Sequence, residues 1–398
     1  MNWKRKLKND WGLLGLKYKP LSDIANYVID RIEVDKLTLD NYISTENMIS
    51  NKGGVGKSAK LPRSKTTASY KKGDVLISNI RPYFKKIWFS KNDGGCSNDI
   101  LVLRAKEGIH PEYLYYVLSN DSFFEYATAT SKGTKMPRGD KQAIMKYRVP
   151  DISLDIQIKI ADMLSTIDEL IYENNKINEN LEQQCWNYFY ELFINNADSI
   201  WPKCTLSDIG SVVSGGTPSK SKLEYYTEKG ISWITPKDLS VNKSKFISHG
   251  EIDISELGFA KSNAQKLPAG TVLFSSRAPI GYIAIAQNVV TTNQGFKSII
   301  PNKNIGTAYT YYLLKYLLPT IEAMGSGSTF KEISGSVMKS VPTVMPDDST
   351  LKNFTEFCEP IFRKQEILEI QNNYLTTIRN ILLPKIMSGE LDITKIRF

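Results

Sequence analysis

The chain has 398 residues, enough for two or three domains, and with 41% apolar and 23% charged residues it has the composition of a folded protein, not a disordered one. No apolar run approaches the ~20 residues that cross a bilayer, and the N-terminus lacks the hydrophobic stretch of a secretion signal, so a cytoplasmic location is expected. The formal charge of +9 is unevenly placed: residues 1–150 carry 27 Lys and Arg against 15 Asp and Glu, 151–200 carry 2 against 10, 201–345 carry 15 against 9, and 346–398 carry 7 against 8. Two basic blocks of this size attract polyanions, of which nucleic acid is the usual one. Cys96, Cys185, Cys204 and Cys358 have no paired spacing, which argues against a disulfide framework or a structural zinc site. His110 and His249 sit in no setting that suggests a metal centre or a serine-histidine triad.

Taken in order, residues 75–80, 87–90 and 100–103 form short β-like runs broken by Gly, Pro, Ser and Asn, and 111–119 predicts a helix. After Pro150 the period changes. Positions 156, 160, 163, 167, 170, 174, 177 and 181 alternate by four and three and hold Ile, Ile, Met, Ile, Leu, Asn, Ile and Leu, which predicts a long helix with a heptad seam and Asn174 as its polar member. Asn174 either sets register or faces solvent. Strands are then predicted at 272–275, 282–286 and 297–300, and a helix at 308–317. A weaker seam follows at 351, 354, 358, 361, 365, 368, 372, 375, 379 and 382.

These elements repeat. Leu21-Ser22-Asp23-Ile24 returns as Leu206-Ser207-Asp208-Ile209, and Gly73-Asp74-Val75-Leu76-Ile77-Ser78 before Arg81-Pro82 returns as Gly270-Thr271-Val272-Leu273-Phe274-Ser275 before Arg277-Ala278-Pro279. Tyr113-Leu114-Tyr115-Tyr116 returns as Tyr309-Thr310-Tyr311-Tyr312, and Val149-Pro150 as Val341-Pro342. Four short matches in one order, with offsets between 185 and 197, indicate a duplication of about half the chain. The expected fold is α+β: two mixed α/β domains at 1–150 and 199–346, separated by two long antiparallel coiled-coil helices at 151–198 and 347–398, with an internal pseudo-two-fold repeat.

The sharpest motif is Lys52-Gly53-Gly54-Val55-Gly56-Lys57-Ser58, which fits a variant phosphate-binding loop letter for letter. Its surroundings do not fit. Such a loop needs a buried strand before it and a helix after it, and Pro62 follows too soon for the helix. The segment reads instead as a basic glycine-rich loop suited to a phosphodiester backbone. No methyltransferase tetrad or nuclease carboxylate cluster is recognisable, which leaves a binding surface.

The candidate DNA-contacting residues lie in segments rich in Gly, Ser and Thr beside cations or amides. In the first basic block they are Lys52, Lys57, Arg81, Tyr83, Lys85, Lys132, Thr134, Lys135 and Arg138. In the second they are Thr217, Ser219, Lys220, Lys237, Ser276, Arg277, Ser328 and Thr329. The repeat pairs Arg81 with Arg277 and Thr134 with Thr329.

At this point the chain resembles the specificity subunit of type I restriction-modification systems. The resemblance spans the whole chain and rests most on Leu206-Ser207-Asp208-Ile209, Gly215-Gly216-Thr217-Pro218-Ser219, Tyr225-Tyr226 and Ile231-Ser232-Trp233-Ile234-Thr235-Pro236-Lys237-Asp238-Leu239. The start of the first helix, Val149-Pro150 through Gln157, Ile160, Ala161, Leu164, Ile167 and Asp168, is also similar to the family. The second helix departs from it, with Lys352-Asn353 near where a glutamine is expected. The resemblance implies two target-recognition domains in a noncatalytic reader of double-stranded DNA. It further implies recognition of a bipartite asymmetric site and partnership with two methyltransferase (modification) subunits and with restriction/translocase subunits. S-adenosylmethionine, ATP and Mg2+ would belong to those partners and not to this chain. Without the resemblance, a free-standing DNA-acting enzyme, either methyltransferase or nuclease, and a DNA-binding regulator both stay open.

Overall fold

The computed structural model describes residues 17–277, 279–327 and 331–391. The chain forms two compact units, one of residues 1–171 with 373–398 and the other of residues 172–372. Among the described residues, no helix is long and apolar enough to cross a membrane.

The first unit is built on an antiparallel sheet in the order Ala25–Tyr27, Ile100–Ala105, Val75–Ser78, Ile87–Phe89. Its central strands are apolar on both faces because each face is covered. Val75, Ile77, Leu101 and Leu103 pack with Leu114, Phe123 and Phe124 of two helices, Pro111–Ser119 and Asp121–Ala129. Leu76, Ile100 and Val102 meet Ile43, Met48 and Tyr70 on the side of a second sheet. That sheet runs Arg31–Glu33, Thr66–Tyr70, Gly94–Cys96, Tyr42–Ile43, and its last pair is parallel. Pro111 opens its helix at a position where a missing N–H costs nothing, and Asn120 caps the next by accepting from Ser122 N–H.

The second unit repeats this plan. Its main sheet runs Gly210–Ser214, Lys297–Pro301, Val272–Ser276, Ile280–Ala286, with Phe246–Ile247 added in parallel at the edge, and the helix Thr307–Ala323 packs over it. Each unit also closes its chain ends in one way: Tyr18–Pro20 pairs with Arg148–Pro150, and Lys203–Thr205 pairs with Pro342–Val344. The residue after each first strand, Leu21 or Leu206, then donates its N–H to the carbonyl of Tyr147 or Val341.

The first long helix is Leu154–Tyr190, extended by a π turn Glu191–Asn195, and the second is Asp348–Met387. In the first unit, Asp168 pairs with Arg379 at 2.5 Å, while Ile160 and Leu164 pack with Leu383 and Ile386. In the second, Asn174 Nδ2 donates to Asn372 Oδ1 at 2.9 Å, Gln365 Nε2 donates to the Asn178 carbonyl, and Phe189 meets Phe354. Numbers rise on one helix as they fall on the other, so the pairing is antiparallel within each unit, and Asn174 is a register residue.

The seam predicted on the second helix matches the buried positions Leu351, Phe354, Cys358, Gln365 and Leu368. The seam predicted on the first helix holds at Ile160, which is buried, and at Asn174, which meets Asn372, and fails at two other positions. Its members Leu170 and Ile177 are exposed, whereas Gln157, Ala161, Leu164, Cys185 and Phe189 face inward. Between them, Asp168 and Glu182 take inward positions that an apolar pattern would not reveal, each held by a partner: Arg379 for Asp168, Lys245 and Lys315 for Glu182.

Candidate nucleic-acid interface

In the first unit three loops meet at one end of the sheets. Asn51 N–H donates to Phe84 O at 2.9 Å and Lys52 N–H to Lys85 O at 2.8 Å, which joins the glycine-rich loop to the short helical turn Pro82–Phe84. Arg81 N–H donates to Pro137 O at 2.8 Å, Ile80 forms a bridge with Arg138, and Arg138 bridges back to Lys132, which brings in the third loop. The four non-glycine residues with positive φ among the described residues, Asn51, Lys52, Arg81 and Lys85, all lie at this junction. Such conformations cost about 1–3 kcal/mol each and persist only where the surroundings enforce them. Strain is thus concentrated where the loops touch.

Residues 50–60, 79–86 and 131–138 hold nine Lys and Arg and no Asp or Glu. Neighbouring acids order several of these cations. Lys52 and Lys85 both reach Asp121, at 2.8 and 3.0 Å; partial burial pushes that carboxyl up, and hydrogen bonds from the two ammoniums outweigh it, leaving its pKa below the usual range. Arg138 pairs with Asp99 at 2.9 Å, Lys132 with Asp140 and Lys57 with Asp40. The Arg81 guanidinium lies 6.0 Å from the Phe84 ring, and its Nε is buried without a hydrogen-bond partner among the described residues. Tyr83, Thr134 and Lys135 are exposed.

The glycine-rich loop is no nucleotide cradle. Met48 bridges Val55 and Gly56 N–H donates to Asn47 O, so the run folds back on itself. No helix follows before the strand Thr66–Tyr70.

The second unit assembles its loops by backbone contact. A Cβ added at Gly215 would stand 1.9 Å from the Asn293 carbonyl, and one at Gly216 2.3 Å from Ala264 N, so only glycine fits either place. Thr217 Oγ1 accepts from Gln294 N–H, and Pro218 O accepts from Tyr226 Oη–H. Thr235 and Asp238 form a capping box that opens the helix Pro236–Val241, and Lys237 on that helix pairs with Glu251. Ser219 and Lys220 are exposed. Arg277 pairs with Glu332 at 3.3 Å. Lys297 is buried beneath the loops, donating to the carbonyls of Gln294 and Phe296, and burial pushes its pKa down.

A family model described as type I restriction modification DNA specificity domain matches residues 16–183 and again 199–383. The chain belongs to this family. It is 40% identical over 190 residues to the type I restriction enzyme MjaIX specificity subunit of Methanocaldococcus jannaschii, a match that covers 46% of this chain and 44% of that one. It is 24% identical to the type I restriction enzyme HindI specificity subunit of Haemophilus influenzae across 96% of this chain and all of that one. The crystal structure of the type I restriction-modification system S subunit from M. genitalium shares the fold, with a TM-score of 0.58 and 18% identity over 93% of this chain and 96% of that chain.

Within this specificity-domain chain, hydrogen bonds define which residues of the two halves correspond. Asn79 N–H donates to Asp99 O as Ser276 N–H does to Gly295 O, and Gly139 N–H donates to Asn79 O as Ile333 N–H does to Ser276 O. Ile80 and Lys132 both bridge Arg138, and Arg277 and Ser326 both bridge Glu332. This register corrects the sequence pairing of Arg81 with Arg277: Arg277 occupies the place of Ile80, and the cation facing it across the bridge in the first unit, Arg138, is replaced by Glu332. Ser276 is also corrected. It is fully buried and its hydroxyl donates to Gly295 O, so it supports the loops from beneath and offers nothing to a ligand. Ser328 and Thr329 lie outside the described residues, and with them the pairing of Thr134 with Thr329.

Sequence reasoning missed two correspondences. Ser44 N–H and Oγ–H donate to Asn47 Oδ1 as Thr235 N–H and Oγ1–H donate to Asp238 Oδ2; the signal was Ile43-Ser44 with Asn47 against Ile234-Thr235 with Asp238, at an offset of 191. The other is a turn, residues 97–100 in one half and 293–296 in the other, which carries no shared letters.

Proposed function

We propose that this chain is the noncatalytic DNA-reading subunit of a type I restriction-modification complex, each unit reading one half of a bipartite asymmetric double-stranded site. The observation that carries the reading is the repeated loop scaffold: the same bridges and turn hydrogen bonds stand in both units under different side chains, Ile80 and Arg138 in one and Arg277 and Glu332 in the other. A common scaffold gives both units one way of approaching a duplex, and unlike side chains give them unlike base preferences. Lys52, Lys57, Arg81, Tyr83, Lys85, Lys132, Thr134, Lys135 and Arg138 contact the first half-site, and Thr217, Ser219, Lys220, Lys237 and Arg277 the second.

The chemistry belongs to partners: two modification subunits using S-adenosylmethionine, and restriction subunits using ATP and Mg2+ for translocation and cleavage. The test is reconstitution with modification and restriction subunits of a type I system. The full assembly should methylate a defined DNA site, and omission of this chain should abolish site selection. Methyl transfer or cleavage by this chain alone would overturn the proposal.

A further inference from the structure

The two loop clusters differ in nearly every exposed side chain, and for that reason a position where they agree is informative. The turn at residues 97–100 and the turn at residues 293–296 are held by the same four hydrogen bonds. Ser97 N–H donates to Ile43 O at 2.8 Å, and Asn293 N–H to Ile234 O at 2.9 Å. Ile100 N–H donates to Ser97 O, and Phe296 N–H to Asn293 O, closing each turn. A side-chain oxygen of the turn's first residue accepts from the third residue's N–H in both: Ser97 Oγ from Asp99, Asn293 Oδ1 from Gly295. The third residue's carbonyl then accepts from Asn79 N–H in one unit and from Ser276 N–H in the other. The second residue, at the corner of the turn, is Asn98 in the first unit and Gln294 in the second. Both are exposed, and neither side-chain amide has a hydrogen-bond partner among the described residues.

The surroundings of this corner diverge. Its carbonyl-bearing neighbour is Asp99 in one unit and Gly295 in the other, and the adjoining bridge is Ile80 with Arg138 in one and Arg277 with Glu332 in the other. Only the carboxamide is common. A carboxamide offers one acceptor and a pair of donors in a single plane. A phosphate offers acceptors alone and leaves the amide oxygen unused, and the cations of the loops already supply that contact. Adenine is the base whose major-groove edge presents an acceptor, N7, beside a donor, the N6 amino group, which is the complement of a carboxamide.

We infer that Asn98 and Gln294 each read one adenine, Asn98 in the half-site of the first unit and Gln294 in that of the second, through paired hydrogen bonds to N6 and N7. The inference rests on the DNA-reading function proposed above and adds to it a named base and the residue that selects it. The turn fixes the backbone at the corner in the free protein, so only the side-chain rotamers of Asn98 and Gln294 remain to be ordered on binding.

The test uses the full chain assembled with its modification subunits and a duplex bearing the selected site. Each adenine is replaced in turn by 7-deazaadenine, which removes only the N7 acceptor. One adenine in each block should then cost part of the affinity that a whole bidentate base contact supplies, which is about 5–150-fold. Asn98→Ala should produce a loss of that size and make one block indifferent to the 7-deaza substitution while the other keeps its sensitivity. Gln294→Ala should do the reverse. Both residues are exposed turn corners, and the 7-deaza series probes the same contacts with the protein unaltered. If every 7-deaza substitution is neutral, or if the variants weaken all sequences equally, the inference is overturned while the DNA-reading function stands. Failure of the assembly to select any bipartite site would overturn both.

Discussion

The loop cluster of the first unit and that of the second solve the same positioning problem with different chemistry. The first gathers nine cations on three segments that carry no acid of their own, draws neighbouring acids against several of them, and holds four non-glycine residues in the left-handed region. The second sets Lys220, Lys237 and Arg277 in loops that also hold Asp238 and Glu332, keeps Lys297 buried, and closes its backbone through Gly215 and Gly216. What the halves share lies in main-chain hydrogen bonds and in the turn that carries Asn98 or Gln294. The scaffold of recognition is therefore written in backbone pairing, and the side chains above it are free to diverge.

The contrast extends beneath the loops, where each unit joins its helix pair to its sheet. Tyr116 donates to Asp168, which Arg379 neutralises. The equivalent Tyr312 donates to Glu182, which accepts from both Lys245 and Lys315, and Lys245 also donates to Gln365 on the second helix. Burial raises the Glu182 pKa, and the two ammoniums override it, leaving the pKa at about 2. Glu182→Gln should give the largest effect, a destabilisation of about 3 kcal/mol in denaturant titration, because it leaves the buried Lys245 ammonium without its counter-charge, the partly exposed Lys315 adding little. A carboxyl depressed from an ordinary value near 4.5 to about 2 stabilises fully above pH 4.5 and loses that stabilisation as the pH falls through this window. Unfolding of the wild type between pH 5 and 2 should show this loss of stability, and the Gln variant should show less of it.

Next in size are the arginines of the bridge. Arg138→Ala and Arg277→Ala should each cost about 1–3 kcal/mol on the cognate duplex if the guanidinium reads a base, and each should relax a different block of the site. Relaxation of the same block by both would break the correspondence of one unit to one half-site. Smaller effects are expected from the exposed cations. Lys135→Ala should reduce the slope of log affinity against log salt by about 1 and weaken cognate and random duplexes alike. Lys57→Ala should be smallest, under about 1 kcal/mol, since its pair with Asp40 is exposed on both sides. It should leave ATP turnover by the assembled complex unchanged except through altered DNA affinity; ATP hydrolysis by the isolated chain, abolished by this substitution, would restore a nucleotide-binding role to the glycine-rich loop.

The regular elements were legible because their signals are local. Alternation and bounding turns marked the strands at 75–78, 87–89 and 272–276, and Pro111 marked the start of its helix. The seam of the first long helix was misread at Leu170 and Ile177 because they continue an apolar period, while nearby inward positions hold Asp168, Asn178 and Glu182. Asp168 and Glu182 are compatible with the interior only through Arg379 for the one and Lys245 and Lys315 for the other, which lie far along the chain. Ser276 read as surface for the same reason: Gly295, the acceptor of its hydroxyl, approaches it by way of a turn with no sequence signature. Arg81 and Arg277 were matched by the proline that follows each, but bridge register and not spacing decides which backbone positions are equivalent.

The central claim is that the two clusters read two unlike half-sites. Selection of binding sites from randomised duplexes by the reconstituted complex tests it most directly, with methylated positions mapped on the selected pool. The account predicts two short blocks of unlike sequence separated by bases of no preference. A single continuous palindrome, or one block repeated as its own inverse, would contradict it.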